Sequence, residues 1–421
     1  MRRRTPYVAL LSSYVISVAG TSMSAIAVPW LVLTTTGSAA KTGLVAFAQM
    51  VPYVAAQALT GPLVDRVGLR RSFVWGNAVA AVAVGAVPAM YLLGALTLPV
   101  LLGLVAVAGS VRGTADCANS ALMPATAEVG ELALERAAGL TAGANRTALL
   151  LGAPLAGVLV TVAGSAVVIA IDAATFAVAA AVAAVWVRVP PPASTGTPTG
   201  PALRRYGRDL AAGLRFIGQD RLLLGIITMV AVTNLLDQGF SEVMLPVWVR
   251  DEIGSASALG ILSGIGGAGS VLGNLLGAWL GPRLSRRALY SVGYLIGGAP
   301  RFLVLALTGA LAPVAVVFLV ADIFGGSLNA VIGAASYERI PVDLRARVLG
   351  AVRASAWIGI PFGALLGGYA AEALGVRPAV LVFGAAYLLT TLAPFVFPAW
   401  RQLKRPVPAA AAESGAIAPA R

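Results

Sequence analysis

The sequence predicts an all-α membrane protein whose twelve transmembrane helices form two six-helix bundles related by a parallel pseudo-repeat. Three observations support this prediction. Hydrophobic residues make up 58% of the 421 residues and charged residues only 11%, whereas about a quarter of an ordinary soluble domain is charged. Long apolar stretches recur along the whole chain, and polar residues recur at matching positions in its two halves.

Each apolar stretch is long enough to cross a bilayer, because a hydrocarbon core of about 30 Å requires roughly 20 apolar residues of helix. The predicted spans, numbered 1 to 12 below, are 7–33, 42–63, 73–93, 97–120, 138–162, 165–187, 222–249, 257–280, 288–308, 311–333, 348–370 and 377–399. No small-residue cleavage site with a soluble domain follows the first of them. We therefore interpret it as a membrane helix and not as a removable signal peptide.

The 30 Lys and Arg residues are distributed unevenly between the two ends of these spans. Only Lys41, Arg250 and Arg377 fall in loops on one side, while most others fall at the termini and in loops on the other side. Because basic loops stay in the cytoplasm, this predicts a multi-pass protein of a bacterial cytoplasmic membrane with both termini in the cytoplasm. The net charge of +13 then reflects topology and does not indicate a nucleic-acid partner.

The spans divide the chain into two bundles and two polar segments. We predict an N-terminal bundle at 1–187, a cytoplasmic linker at 188–221, a C-terminal bundle at 222–400 and a disordered cytoplasmic tail at 401–421.

The linker itself changes character along its length. It begins with a stretch rich in Pro, Gly, Ser and Thr and ends in a basic amphipathic segment. Two interpretations remain open for that segment: an interfacial helix whose Leu210, Leu214 and Phe216 lie on the membrane, or a solvated tether.

The two predicted bundles carry similar polar residues in the same order. Span 4 and the loop after it have Arg112, Asn119 and Glu128, and span 10 and the segment after it have Asp322, Asn329 and Glu338 at the same spacing. Span 5 has Arg146 eight residues before Pro154, and span 11 has Arg353 eight residues before Pro361. Both copies begin on the same side of the membrane, so the duplication is parallel, as in transporters built from two six-helix halves.

The loop between spans 2 and 3 reads Gly-Pro-Leu-Val-Asp-Arg-Val-Gly-Leu-Arg-Arg over residues 61–71. It resembles the cytoplasmic loop pattern of the major facilitator superfamily at every position except Leu69, where that family usually has a basic residue. The residues that carry the resemblance are Gly61, Asp65, Arg66, Gly68, Arg70 and Arg71.

The resemblance implies a role for this loop in gating. Asp65 would face the positive N-terminal end of span 11 and latch the two bundles together in the outward-open state, with Arg353 or Arg347 as its partner. The alternative is that Asp65 and Arg66 only fix the topology of the loop.

Two further segments resemble a drug- and siderophore-exporter-like branch of the same superfamily, similar to macrolide-efflux proteins. Span 1 ends in the run Ala-Val-Pro-Trp-Leu-Val-Leu over residues 27–33. Span 5 resembles the family's antiporter motif in Arg146, Gly152, Pro154 and Gly157, although Ala153 replaces the usual glycine.

Charged residues inside spans cost about 2.5–3.5 kcal/mol each and normally face a cavity or a partner. The charged residues that lie within the predicted spans are Arg112, Asp116, Arg146, Asp172, Asp237, Glu242, Arg301, Asp322 and Arg353. Because the chain contains no histidine, a proton relay must use carboxylates.

Asp237 is the first candidate for a proton-carrying carboxylate. It lies near the middle of span 7 in the most polar stretch of any span, and Gly239 beside it could let the helix unwind at the cavity. Glu242 is the second candidate. We assign no role to Asp172 or Arg301, for which no partner can be identified.

The arginines and the other acids have more than one interpretation. Arg112 and Asp116 are four residues apart and can pair along span 4; the pair is either static or, as the family resemblance implies for Arg112, part of proton coupling. Arg112 can instead pair with Asp322 across the cavity. Arg146 and Arg353 lie near the cytoplasmic ends of their spans and are interpreted as structural or gating residues.

These features predict a secondary active transporter that uses proton influx to export a small amphipathic organic compound by alternating access. An uptake symporter is the alternative, and a membrane-embedded enzyme or receptor is a remote one. With a single cysteine, Cys117, and no histidine, neither a metal site nor a cofactor is expected. We expect a monomer, and the substrate cannot be read from the sequence.

Overall fold

The computed structural model describes residues 4–189, 202–280, 283–340 and 345–403. Within these ranges, side chains are described except at 202–206, 209, 329–339, 345–347 and 353. The described backbone is helical and contains no strand, which confirms the all-α prediction. The predicted tail after 403 and the start of the linker at 190–201 lie outside the described residues.

Twelve helices among the described residues are long and apolar enough to cross a membrane, in the order predicted. In the structure spans 1 to 12 are Thr5–Thr36, Ala39–Leu59, Leu69–Leu92, Leu98–Val129, Leu134–Ala163, Ser165–Trp186, Arg221–Glu252, Ala256–Leu280, Arg286–Leu307, Leu311–Leu328, Val348–Leu374 and Val376–Val396. The helix of span 10 continues to Arg339. Several helices extend beyond their predicted ends because a helix keeps its backbone hydrogen bonds internal after it leaves the apolar core.

Short loops join most spans, and the turn after span 1 illustrates how the sequence produces them. Gly37 adopts φ +68° and donates its N–H to the Leu33 carbonyl, a left-handed conformation that favours glycine. Ser38 then caps span 2 by accepting a hydrogen bond from the Lys41 N–H at 3.2 Å.

Spans 1 to 6 pack on one another, as do spans 7 to 12, which confirms two six-helix bundles. In the first bundle span 1 packs on spans 5 and 6, and span 4 on spans 2 and 3; in the second, span 10 packs on spans 8 and 9, and span 7 on span 11. The bundles meet along two seams, where span 2 contacts span 11 and span 5 contacts span 8.

Two shorter helices lie outside the spans. The loop helix, Gly61–Val67, precedes span 3, and the linker helix, Ala202–Gln219, precedes span 7. We call the membrane face with these helices and Arg4 the linker face, and the face where Gly37 joins spans 1 and 2 the opposite face.

The linker helix packs on protein, where the sequence suggested membrane or solvent. Ile217 is buried in a small core with Leu223 of span 7 and Val348 of span 11, and Leu210 and Phe216 pack against it. Leu214 is 45% exposed. The linker helix is therefore attached to spans 7 and 11 of the second bundle, and span 11 forms one of its two seams with the first.

Candidate transport site

The two bundles are in close contact on the opposite face. In the seam of spans 2 and 11, a Cβ added to Gly43 would lie 3.2 Å from the Cα of Gly368. In the seam of spans 5 and 8, a Cβ added to Gly157 would lie 2.8 Å from the Cα of Gly260. Small residues let helix backbones approach this closely, so the bundles are sealed together on this face.

Polar contacts reinforce the same closure. The Ser38 hydroxyl donates to the Glu372 carboxylate at 3.1 Å, and the Ala40 N–H donates to it at 3.2 Å. Arg250 of span 7 donates to the Gly37 carbonyl at 3.2 Å. Each of these bonds joins the first bundle to the second.

On the linker face the start of span 5 lies clear of the second bundle, as far as the described residues extend. A Cβ added to Gly139 or Gly143, near the start of span 5, would meet no described atom within 4 Å. A cavity of about 510 Å³ lies between the bundles on this side of the seams, lined by spans 1, 2, 4 and 5 and by spans 7 and 8. Its charged lining residues are Arg112, Asp116, Arg146 and Glu242.

A narrower pocket of about 90 Å³ continues from this cavity into the first bundle. Arg112 and Glu242 line both spaces, and the inner pocket adds Ser24, Asp172 and Phe176. The site therefore combines an apolar wall with charged groups, as expected of a small-molecule site.

Asp237 and Asp322 are brought together by a residue that the sequence left without a partner. Arg301 of span 9 contacts Asp237 with Nη2 to Oδ1 at 2.8 Å and approaches Asp322 with Nη1 to Oδ1 at 3.8 Å. We call these three residues the triad. Side-chain exposures are 17% for Arg301, 35% for Asp237 and 21% for Asp322, so the charges are mostly withdrawn from solvent.

A break in span 9 positions Arg301. The helix stops at Gly297 and resumes at Ala299, with Gly298 between them at φ −113° and ψ −83°. A Cβ on Gly298 would overlap the ring of Tyr387, and Pro300 has no N–H to continue the helical bonds. In the sequence, the run Gly-Gly-Ala-Pro-Arg at residues 297–301 is the pattern that could have indicated a helix break just before an arginine.

Glu242 lies on a wider turn of span 7. Residues Phe240–Met244 form a π-helical turn, a distortion that often marks functional sites. No described residue forms an ion pair with Glu242. Glu242 lines both the cavity between the bundles and the inner pocket.

The expected unwinding at Gly239 is wrong. The α-helix continues through Gly239, and a Cβ there would lie 2.6 Å from the Gly363 carbonyl oxygen. The glycine serves close packing against span 11, and the irregularity begins one residue later.

The expected pair of Arg112 and Asp116 is also wrong. Arg112 donates to the Thr21 hydroxyl and lies 5.1 Å from the Phe176 ring centroid. Asp116 accepts a hydrogen bond from the Tyr53 hydroxyl at 2.9 Å. The two side chains contact different neighbouring helices. Neither forms an ion pair with a described residue.

The cross-cavity pair of Arg112 and Asp322 does not form in this structure, because Asp322 faces Arg301 within its own bundle. Asp172 is 2% exposed and accepts hydrogen bonds from the hydroxyls of Ser24 and Thr175. The sequence alone does not identify these partners, because serine and threonine are common in apolar helices and neither stands out as a partner for a carboxylate.

The antiporter-like motif of span 5 forms contacts with neighbouring helices. A Cβ on Gly152 would overlap the Ser22 hydroxyl of span 1, and one on Gly264 of span 8 would lie 2.5 Å from Pro154. Gly157 belongs to the seam with span 8, while Arg146 lines the cavity. Gly152, Pro154 and Gly157 thus pack against neighbouring helices, and Arg146 faces the cavity.

The loop after span 2 holds its own bundle together. Gly68 turns the chain at φ +97°, and Arg70 donates to the carbonyls of Ala183 and Ala184 at the end of span 6. Gly61 begins the loop helix, and the remaining charged residues of the motif, Asp65, Arg66 and Arg71, are exposed.

The predicted latch between Asp65 and span 11 stays a prediction. Asp65 forms no ion pair with a described residue of the second bundle, and the Arg353 side chain lies outside the described residues. The predicted latch would form only in a state in which the linker face is closed.

Two helical bundles around a charged cavity, sealed on one face and parted on the other, define a polytopic membrane transport protein. The family model described as the Major Facilitator Superfamily matches residues 10–241 and again residues 227–420. The chain belongs to this superfamily.

Two relatives are similar to this chain over nearly its whole length. The chain is 28% identical over 407 residues to the multidrug efflux pump Tap of Mycobacterium tuberculosis (strain ATCC 25618 / H37Rv), covering 95% of each chain. It is 24% identical to the multidrug efflux pump Tap of Mycolicibacterium fortuitum, covering 95% of this chain and 98% of that one.

Among solved structures, the nucleoside transporter NupG has a TM-score of 0.73 at 13% identity, covering 94% of this chain and all of that one (100%). A bacterial homologue of the human lysosomal transporter Spinster, solved in an inward-facing and unoccupied conformation, has a TM-score of 0.69 at 17% identity, covering 97% of this chain and 100% of that one. These two likenesses concern the fold.

Proposed function

We propose that this protein exports a small amphipathic organic compound across a bacterial cytoplasmic membrane, driven by proton influx through alternating access. The observation that carries the proposal is the charged cavity of about 510 Å³ between two bundles whose seams close it on the opposite face. The relatives named as multidrug efflux pumps support export over uptake.

Alternating access requires the two seams to open while the linker-face ends approach. The contacts at Gly43 and Gly157 are suited to this motion, because a glycine has no side chain. Little side-chain surface is therefore exposed at these two points when the bundles separate. In that second state Asp65 would latch onto the start of span 11, with Arg353 or Arg347 as its partner.

The proposed orientation places the linker face in the cytoplasm, together with both termini. The excess of basic residues on this face supports the orientation. The cavity would then load from the cytoplasm or from the inner leaflet, which suits an exporter.

We assign proton coupling to Asp237, with Asp322 and Arg301 as its partners. With both acids ionised, the triad carries one negative charge, and adding one proton neutralises it. Protonated Asp237 would bind Arg301 less strongly, so a proton arriving at span 7 would loosen its contact with span 9. Glu242, Arg112 and Asp116 would contact the substrate or the proton path in the cavity.

The test uses everted membrane vesicles from a host lacking its major drug pumps, with ethidium as the probe. An imposed proton gradient, acidic inside, should drive ethidium into vesicles that contain the protein, and an uncoupler should stop it. Asp237→Asn should abolish gradient-driven transport, because the side chain can no longer exchange a proton, while membrane insertion is unchanged.

Glu252→Gln is the matched control. Glu252 pairs with Arg377 at 2.9 Å on the opposite face, outside the cavity, so its loss should leave transport intact. Full gradient-driven transport by Asp237→Asn would refute the coupling assignment. Absence of any gradient-dependent dye movement in wild-type vesicles, across a panel of amphipathic dyes, would refute the proposed export.

A further inference from the structure

A groove opens to the membrane between spans 7 and 12 at the linker face, outside the central cavity. This 7/12 groove has a volume of about 800 Å³. Its wall is mostly apolar, with Leu389 at 71% and Phe397 at 59% exposure. Arg221 lies at its mouth, and Trp400, itself 2% exposed, closes its floor.

The first bundle has a similar groove at the equivalent position. This 1/6 groove, of about 520 Å³, lies between spans 1 and 6 on the same face. Arg4 at the start of span 1 corresponds to Arg221 at the start of span 7, and Trp186 at the end of span 6 corresponds to Trp400 after span 12. The pseudo-repeat thus duplicates an arginine, an apolar wall and a tryptophan, with Trp400 buried and Trp186 51% exposed.

Both arginines are available to an external anion. Arg4 and Arg221 are exposed, and no described residue forms an ion pair or a hydrogen bond with either guanidinium. A guanidinium binds phosphate oxygens with two parallel hydrogen bonds. An apolar wall that continues from it toward the membrane interior matches an acyl chain attached to that phosphate.

We propose that each groove binds one phospholipid with an anionic headgroup, its phosphate on Arg221 or Arg4 and an acyl chain along the apolar wall. This inference stands apart from the proposed export. The 7/12 groove shares no lining residue with the central cavity, and Arg221 is roughly 30 Å from Glu242 along span 7, since a helix rises about 1.5 Å per residue.

The position of the two grooves also argues against the tail of the chain as the occupant. The two grooves are followed by unlike segments of the chain, residues 404–421 after the 7/12 groove and the linker residues 190–201 after the 1/6 groove, yet both are lined by an arginine, apolar residues and a tryptophan. A shared ligand from the membrane accounts for both.

The test is native mass spectrometry of the purified full chain, titrated with phosphatidylglycerol or with phosphatidylcholine. The wild type should bind two phosphatidylglycerol molecules more tightly than phosphatidylcholine. Arg221→Gln and Arg4→Gln should each weaken one of the two phosphatidylglycerol sites about fivefold, the effect of one basic residue near an anionic headgroup.

Gly225→Leu tests the apolar part of the 7/12 groove. Gly225 lines the groove, and a Cβ there meets Trp400 at an ordinary 3.4 Å, so a larger side chain can begin at this position and occupy the groove. It should remove one bound lipid of either headgroup. Arg136→Gln, an exposed residue at the linker-face start of span 5, is the matched control and should change neither site.

Three outcomes would overturn the proposal. The first is equal binding of the two lipids by the wild type with no loss in Gly225→Leu. The second is a loss in Arg136→Gln as large as in Arg221→Gln, which would indicate general charge. The third is a different occupant of the groove. Displacement of the lipid by ethidium would assign the groove to the substrate, and an additional lipid bound after deletion of residues 404–421 would assign it to the tail.

Discussion

Arg301 contacts two carboxylates, lies 5.8 Å from the Phe240 ring centroid and is mostly buried, yet its Nε has no hydrogen-bond partner among the described residues. A buried charge stabilises a protein only while its partners remain. The triad is therefore the place in the second bundle where a single substitution should have the largest effect.

Arg301→Gln should destabilise the protein by about 3–5 kcal/mol, because it leaves Asp237 and Asp322 buried without a cation. Thermal unfolding in detergent measures the change. Adding Asp237→Asn to Arg301→Gln should recover part of the loss, since fewer buried negative charges then lack a partner. Arg377→Gln, which removes the exposed pair with Glu252, is the control and should cost only about 0–1 kcal/mol.

A loss of stability in Arg301→Gln no larger than in Arg377→Gln would contradict the importance of the triad. The double substitution separates charge from packing, because a purely steric effect of removing the guanidinium would not be relieved by Asp237→Asn.

The sequence identified the acids of the triad but not their partner. Asp237 and Asp322 stand out because a carboxylate in an apolar span requires an explanation. That Arg301 lies between them depends on how spans 7, 9 and 10 are rotated against one another, and periodicity within one helix does not contain this information. The same limit explains why Arg112 and Asp116 were paired wrongly.

At the level of the elements, the twelve spans follow from hydropathy and were predicted in order, but their irregularities were not. The π-helical turn at Phe240–Met244 and the break at Gly298 arise where a neighbouring helix competes for space. Gly239 and Gly298 were both visible as glycines in apolar helices. Only the contacts with Gly363 and with Tyr387 show that one permits close packing and the other a break.

Gly298→Ala should therefore impair span 9 despite the small size of the change. The added methyl group would overlap the Tyr387 ring, and overpacking of this kind costs about 1–3 kcal/mol. Because Arg301 follows the break closely, gradient-driven ethidium transport should fall as well. Both effects can be measured on the same preparation by thermal unfolding and by the vesicle assay.

Gly103→Ala is the control for this substitution. Gly103 lies inside the helix of span 4, where an added Cβ meets no described atom within 4 Å. Alanine should be neutral there or stabilising by about 0.5–1 kcal/mol. Wild-type stability and transport in Gly298→Ala would show that Tyr387 can move aside and that the break does not position Arg301.

At the level of the whole molecule, the duplicated architecture was predictable and the conformation was not. Arg112 and Asp322, at matching positions in spans 4 and 10, indicated the repeat. Which face is open depends on a small free-energy difference between two packings of the same chain. The paired glycines of the seams, such as Gly43 and Gly368, become meaningful only once the two bundles are seen to touch there.

A reversible crosslink across one seam should stop transport by holding the opposite face closed. Ser257 at the start of span 8 donates its N–H to the Thr161 hydroxyl at the end of span 5, at 3.1 Å. Cysteines at these two positions in a Cys117→Ser background, joined by a short bifunctional disulfide-forming reagent, would tie the bundles together. Ethidium transport should be lost on crosslinking and return after reduction, because alternating access requires this seam to open.

The control is a crosslink on the same face within one bundle. Cysteines at Glu252 and Arg377, which are in contact at 2.9 Å between spans 7 and 12, connect two parts of the second bundle that should move together. Crosslinking them should leave transport unchanged, so the difference between the two pairs isolates motion between bundles from general loss of flexibility. Undiminished transport with the Thr161–Ser257 crosslink fully formed would mean that the bundles do not separate along this seam, and the rocking motion would have to be abandoned.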